Sequence, residues 1–555
     1  MKRIRDYGII IGDGKTGRLN KITDVSGVKV GHYTLKDENH NTGITVILPC
    51  EDNPFINKVM ASSHVINGYG KTLGLVQIEE LGYIETPIVL TSTLNVGKIH
   101  DAVISYMIEK CNKENENIVS INPIVGEVND APLNDVQDRP LGEKELKEAI
   151  NNAKIDFEEG SIGGGTGTVC CGIKGGIGSS SRLTLIDGKY YTIGVLVQTN
   201  FGGVNDLIID GEKVGQHIKD KLEKIEDNKG SIMIVVATDI PVTERQLKRI
   251  IKRTEVGLVK TGSTIGNDSG DIVIGFTTAN RINKIENKHI REYQSITEDK
   301  INYIFKQVAD ATEEAILNSL ATAKTTNYKG KTRCSLTDVY LNDYIKSKNY
   351  EALIDNFPVQ NQFPDYPVGC ESVALYTLLK YYNVGVTIDD IVNNLKKGEK
   401  PHYEGNTMYG GDPEIEFLGD PKDIYSYGVY EKPIEEVANK FKPGIKNISG
   451  TPLEDVLKLV KKGYPVQVWS SINCLEPKYA NHTWIDRRTN KEIKWKQPFH
   501  SLVVIGYSND KVVVSDPDSG GVREFNRQKF ENAYNFFGKR SLYYEEKVTH
   551  NYLNF

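Results

Sequence analysis

A chain of 555 residues is too long for one hydrophobic core, so roughly three or four packing units in two domains are expected. Hydrophobic residues make up 39% and charged residues 26%, which excludes a largely disordered chain. The net charge of −6, with no basic block, excludes a nucleic-acid footprint and a polybasic membrane patch.

From the start, Met1-Lys2-Arg3 is basic, but the apolar run Ile9-Ile10-Ile11 is short and broken by Gly12 and Asp13, so no signal peptide is expected. No apolar run approaches the roughly 18 residues of a membrane helix. Strand-like runs at 42–49, 86–91, 192–198, 231–237 and 271–277 interleave with helical patterns at 98–111, 244–256 and 300–322. Mixed α/β structure follows. The glycine-rich stretch 160–178 holds Gly163-Gly164-Gly165-Thr166-Gly167, which lacks the flanking strand, helix and acidic residue of a dinucleotide loop. Residues 325–349 are polar, Lys-rich and weakly periodic, and all three tryptophans (Trp469, Trp484, Trp495) lie beyond them. The expected organisation is a first domain at 1–340, a linker at 341–352 and a second domain at 353–555. Seven cysteines, odd in number and without C-x-x-C spacing, suit a reducing compartment such as the cytoplasm, with no disulfide framework, metal site or cofactor expected.

Two nucleophile candidates stand out. Ser269, in Asn267-Asp268-Ser269-Gly270-Asp271, opens a strand after a Gly/Ser-rich loop. If the bond before it breaks, its own α-amine (pKa about 8) can deprotonate its hydroxyl. The alternative is a strand-opening residue after a tight turn. Cys370 begins a helix whose apolar face is Leu375, Leu378, Leu379 and Tyr382. A helix start lowers a thiol's pKa, although a cysteine there can equally be inert core. Farther on, a strand headed by His500 turns at Ser508-Asn509-Asp510 and returns to Asp516, bringing imidazole and carboxylate to one end. Either residue alone could be structural.

Several blocks occur in order before residue 335. They include 22–32, ending Val30-Gly31-His32; Gly68-Tyr69-Gly70-Lys71; Ser179-Ser180-Ser181-Arg182; Thr199-Asn200-Phe201-Gly202; Ala237-Thr238-Asp239-Ile240-Pro241; Ser269-Gly270-Asp271; and Ala311-Thr312-Glu313-Glu314-Ala315. Together they resemble the L-aminopeptidase/D-esterase family, also called β-peptidyl aminopeptidases, over about residues 15–335. The resemblance implies an αββα four-layer sandwich, self-cleavage before Ser269, and removal of N-terminal residues from amides, small peptides or esters. It also implies a homo-oligomer, and a role for Glu313 in holding the catalytic network. Without the family, Glu313 reads as an exposed helix charge. Asn200 and Asp239, each ending an apolar strand, are lesser candidates. They also read as a turn residue and a helix N-cap, and His32 reads as structural. Three positions depart from the family. Asp268 replaces a glycine before the nucleophile, which implies slow or absent cleavage because glycine best tolerates the twisted backbone. Cys171 replaces an aromatic residue, and Ala311 replaces a serine.

The second half carries Gln360-Asn361-Gln362 before Cys370, then Gly463-Tyr464-Pro465-Val466-Gln467-Val468-Trp469, His500 and Asp516. Over about residues 353–545 it resembles papain-like cysteine peptidases of the double-glycine leader-peptidase type and their stand-alone C39-like relatives, which implies a papain-like α+β domain. By that resemblance Cys370 is the nucleophile, His500 the base and Asp516 its orienter, with Asp518 as substitute. Gln362, or next Gln360, is the oxyanion donor. The chain thus reads as a bifunctional peptide hydrolase acting on small peptide, amide or ester substrates, without nucleic-acid or membrane partners. The alternatives are that one half is a degenerate peptide-binding module, the first half being the better candidate, or that the cysteine domain transfers acyl groups to amines.

Overall fold

The structure, a computed structural model, describes residues 2–222, 230–284 and 289–547. It divides into two units: Met1–Ile4 with Ile11–Tyr344, and Arg5–Ile10 with Ile345–Phe555. The segment Arg5–Ile10 therefore packs with the second unit and not with the expected block 1–340; within that unit Arg5 donates from its guanidinium to Ser519 O at 3.0 Å. The expected linker at 341–352 contains the helix Asn342–Ser347.

The first unit is an αββα sandwich of two facing sheets. A four-stranded sheet runs Lys29–Lys36, Asn41–Leu48, Ile88–Ser92, Ile124–Val128, and its last pair is parallel. A six-stranded sheet runs Tyr83–Ile84, Asn57–Gly68, Gly270–Asn283, Ser231–Thr238, Lys189–Asn200, Ile177–Ile186. Alternation decides what lies between them: Ile272, Ile274 and Phe276 point to one face and pack with Leu90, Ile124, Met233 and Val235 in a core between the sheets. Helices Val96–Lys113 and Glu143–Asn151 cover the four-stranded sheet with Ile99, Val103, Met107 and Leu146. Helix Ile301–Ala321 lies on the strands Ile177–Ile186 and Lys189–Asn200, so close that a Cβ on Gly178 would meet Ala315 O at 2.0 Å. Both faces of this helix are covered, and few of its positions reach water.

The helical pattern at 244–256 folds as two helices, Glu244–Ile251 and Thr254–Lys260. Thr254 Oγ1 donates to Ile251 O at 2.6 Å and occupies a carbonyl that a continuous helix would use.

The second unit is α+β. Its antiparallel sheet runs Ile445–Asn447, Ser541–Tyr544, Val466–Ser471, Phe499–Tyr507, Lys511–Asp516, Gly521–Asn526, with Ala352–Leu353 also paired to Phe499–Tyr507. Helix Cys370–Tyr381 packs on the strand Phe499–Tyr507 through Ala374, Leu375, Leu378 and Leu379. A smaller sheet combines His402–Glu404, Thr407–Tyr409, Lys478–Asp486 and Lys491–Gln497.

Candidate active sites

Three neighbouring strands bring polar residues to one end of the six-stranded sheet. Asn200 is in register with Ser231, and Ile232 with Asp271, so Asn200, Ser231 and the Ser269–Asp271 segment share that end. The Ser269 hydroxyl is buried and donates toward two oxygens, Gly230 O and, at 2.6 Å, Asp271 Oδ1. Gly230 cannot be another residue: a Cβ there would lie 1.4 Å from Asn200 O and 2.6 Å from Asn200 Nδ2. Asn200 is fixed in turn by accepting from Val169 N at 3.0 Å. The loop before Ser269 is a tight turn, with Ser269 N donating to Gly266 O at 3.0 Å. Asn67 Nδ2 gathers its carbonyls, donating to Gly266 O and Asn267 O at 3.1 Å each and also to Ser269 O. Ile265 in this loop has φ +53°, a region in which a β-branched side chain is strained.

The loop forms one wall of a cavity of about 370 Å³, faced by Phe201, Gly202 and Asp206. Cys171 stands directly behind that wall: its N–H donates to Phe201 O at 2.7 Å, and its sulfur would lie 3.3 Å from a Cβ on Gly202. The aromatic residue expected there would occupy the same space. Asp271 is held by Ile232 N at 3.2 Å, and burial pushes its carboxyl up to about 6, against the lowering effect of the Ser269 hydroxyl. Its Oδ2 has no hydrogen-bond partner among the described residues.

Two residues expected near Ser269 lie elsewhere. Asp239 follows the opposite end of the strand Ser231–Thr238, on the order of 25 Å away at ~3.3 Å per residue. It closes the sheet there, accepting from Thr192 N at 2.6 Å. Glu313 does not reach the serine hydroxyl. Its carboxylate pairs with Lys260 at 3.0 Å, which also pairs with Asp310 at 2.9 Å. Burial raises the pKa of Glu313, and Lys260 opposes that rise. His32 is a core residue, bonded to Thr45 Oγ1 at 3.0 Å and Glu158 O at 3.1 Å, its pKa lowered to about 4 by burial.

In the second unit Cys370 is the first residue of its helix, with Gly369 before it. Burial, then the charges of Glu371 and Asp518, push the thiol well above its ordinary range, against the Ser501 backbone N–H directed at the sulfur. The lowering expected of a helix start is outweighed. His500 Nε2 bonds Asp516 Oδ1 at 2.7 Å, and both side chains are buried. Burial works against the Asp516 carboxylate, yet the charges of His500 and Arg523 keep its pKa low. Arg523 lies 3.3 Å from Oδ2, and Asp518 N donates to Oδ1 at 3.0 Å. With Nε2 committed to Asp516, the imidazole keeps one ring nitrogen for other chemistry.

Gln362 lies against the residue after Asp516, its N donating to Pro517 O at 3.0 Å. Its Nε2 gives one hydrogen to Pro367 O at 2.9 Å and keeps a second. Gln360 Nε2 is turned to Asn361 O at 3.2 Å.

Two carboxyls absent from the sequence expectations border these nucleophiles. Asp271 sits two residues after Ser269, the spacing that places strand residues on one face, so the pattern contained it. Glu371 is fully buried beside the thiol. Its Oε2 accepts from Cys370 Sγ at 3.4 Å and its Oε1 from Val429 N at 2.7 Å, and burial pushes it up to about 7. A glutamate in the first turn of a helix ordinarily faces water, and nothing local marks this one as buried. Among the described residues no group of three or more His, Cys, Asp or Glu is placed to hold a metal ion.

Residues 20–333 match peptidase family S58, and residues 354–542 match the peptidase C39-like family. The beta-peptidyl aminopeptidase BapA of Sphingosinicella xenopeptidilytica is 35% identical over 346 residues, covering 58% of this chain and 85% of that protein. Among solved structures, the PH0078 protein from Pyrococcus horikoshii OT3 is 43% identical with a TM-score of 0.59, covering 62% of this chain and 98% of the other. The L-aminopeptidase D-Ala-esterase/amidase from Ochrobactrum anthropi, described as a prototype for the serine aminopeptidases and a variant of the Ntn hydrolase fold, is 32% identical with a TM-score of 0.58. It covers 63% of this chain and 99% of its own length.

Proposed function

Because this chain belongs to peptidase family S58 and carries a C39-like domain after it, we propose a two-site peptide hydrolase that frees its own serine nucleophile. In the first unit the Asp268–Ser269 bond breaks, and Ser269 then removes N-terminal residues from small peptides, amides or esters. Its new α-amine takes the hydroxyl proton during turnover, and Asn200 Nδ2, next to Gly230, is the donor suited to the developing oxyanion. In the second unit Cys370 attacks, His500 transfers the proton, Asp516 fixes the imidazole, and the second Nε2 hydrogen of Gln362 faces the oxyanion. A homo-oligomer, from the family resemblance, and a cytoplasmic location, from the scattered free cysteines, complete the proposal.

The observation that carries it is a buried serine hydroxyl, 2.6 Å from a carboxylate, closing the loop that walls a cavity of about 370 Å³. Denaturing mass spectrometry of purified protein tests it, with fragments 1–268 and 269–555 expected. Release of the first residue from α- and β-aminoacyl amides should vanish in Ser269→Ala and survive in Cys370→Ala. Loss of that activity in both variants, or in neither, would refute the assignment.

One observation favours a second reading for the cysteine half. A thiol held protonated by burial and by Glu371 suits a site that is quiet until a bound partner rearranges it. A thiol-directed probe that labels Cys370 at neutral pH without any partner would exclude that reading.

A further inference from the structure

We propose that Asp271 is the base that starts the break before Ser269: its carboxylate receives the Ser269 hydroxyl proton as Oγ attacks the Asp268 carbonyl carbon. The inference rests on the self-cleavage reading above and adds the group that reading lacks, because the α-amine exists only after the bond has broken.

The hydrogen inventory at Ser269 carries the argument. Oγ bears one hydrogen and faces two acceptors, Gly230 O and Asp271 Oδ1. A second hydrogen satisfies the arrangement only if it resides on Asp271. The carboxyl is therefore placed to hold a proton in one state and release it in another, directly on the nucleophile. It is also free to do so. Among the described residues, Ile232 N is its one backbone donor, its Oδ2 has no partner and no cation neutralises it. Among the described residues no charged group of the elements around it bonds to the carboxyl. Asp206 and Asp268 face the cavity, Asn267 Nδ2 donates to Asp268 Oδ1 at 2.9 Å, and His64, level with Val273, is paired with Glu255. The base is thus an ordinary carboxylate raised by burial into the range of neutral-pH proton transfer.

The step balances without a co-reactant. The Oγ–C bond forms while the hydroxyl proton moves to Asp271. The Asp268 C–Ser269 N bond then breaks, and the proton passes from Asp271 to the departing nitrogen. The product is an ester between the Asp268 carbonyl and Ser269 Oγ, with a free α-amine on Ser269. Water hydrolyses that ester, leaving the Asp268 carboxylate and the restored hydroxyl. Strain at Ile265, four residues upstream, favours opening of the loop in the same direction.

The test follows conversion of the full 62.0 kDa chain to its fragments. Protein made and held near pH 5 is shifted to a series of pH values and sampled by denaturing mass spectrometry. The wild-type rate is expected to rise about tenfold per pH unit at first and to level off above about pH 6 to 7. Asp271→Asn should cleave at least about 100-fold more slowly, without that pH dependence, and Asp271→Glu should recover part of the rate. If wild type cleaves and Asp271→Asn matches it in rate and pH profile, the inference falls while self-cleavage stands. A wild-type chain that stays intact at every pH removes both. Should Asp271→Asn fail to fold, the wild-type profile decides alone: a rate that is flat or falls with rising pH overturns the role of Asp271.

Discussion

At Ser269 the hydroxyl meets a carboxylate and a carbonyl, with no imidazole bonded to it among the described residues, beside a cavity and a strained loop. At Cys370 the imidazole is already bonded to its carboxylate, and the sulfur is enclosed. In the proposed function the first site would gain its amine from breaking one peptide bond. The second has its His500–Asp516 pair formed but holds its thiol pKa well above the ordinary range, through burial and the neighbouring Glu371. A formed imidazole–carboxylate pair and an ionised nucleophile are therefore separate properties, and the second site has the first without the second.

The most direct way to break this contrast is Ser269→Ala. It should leave the chain uncut and lower aminoacyl-amide turnover on the order of 10⁶-fold, while labelling of Cys370 stays unchanged. Next in size, Asp516→Asn should cost about 10⁴-fold in any peptide cleavage dependent on Cys370, since the imidazole loses its tautomer. A peptide-cleavage assay on the Ser269→Ala background measures this cleanly, and a loss under tenfold would mean that the pair is merely structural.

Glu371→Gln sharpens the comparison. Removing the carboxylate that opposes thiolate formation should raise iodoacetamide alkylation of Cys370 about tenfold at pH 8. A linked stability effect follows. Glu371 is pushed up to about 7 in the folded protein, so the unfolded chain releases that proton first as pH rises from about 4.3. Wild-type stability should fall across that window, by at most about 4 kcal/mol from this group, and the glutamine variant should lack that part of the fall. Urea unfolding at pH 5 and pH 7.5 measures it. The smallest expected effect is at Ile265. Ile265→Gly releases a backbone strained by φ +53°, which should raise stability by about 1 kcal/mol and slow the break before Ser269 a few-fold. Faster cleavage would show that the strain plays no part.

Much of this was legible in the chain. The apolar runs at 231–237 and 271–277 marked two observed strands, because buried central strands carry continuous β-branched sequence, although the second strand continues through a polar stretch to Asn283. The hairpin after His500 followed from its turn residues and did bring Asp516 to the imidazole. What failed required direction in space. Asp239 and Asn200 both end strands, yet those strands run antiparallel, so only Asn200 lies at the Ser269 end. Glu313 reads as exposed beside Glu314, but their helix is covered on two sides. Glu314 is fully buried against Arg182 at 2.7 Å, and Glu313 turns to Lys260. The state of the Cys370 thiol could not be read from a helix start, since burial by residues far away in sequence sets it.

The strand Gly270–Asn283 lies in the interior of its sheet, between Asn57–Gly68 and Ser231–Thr238, and both neighbours precede residue 268. A cut before Ser269 would accordingly separate no layers. The two pieces would stay interleaved, each supplying hydrogen-bond partners to the other, and would travel as one body in native electrophoresis. The broken bond would add a reactive terminus at the start of an interior strand without giving the pieces freedom to part.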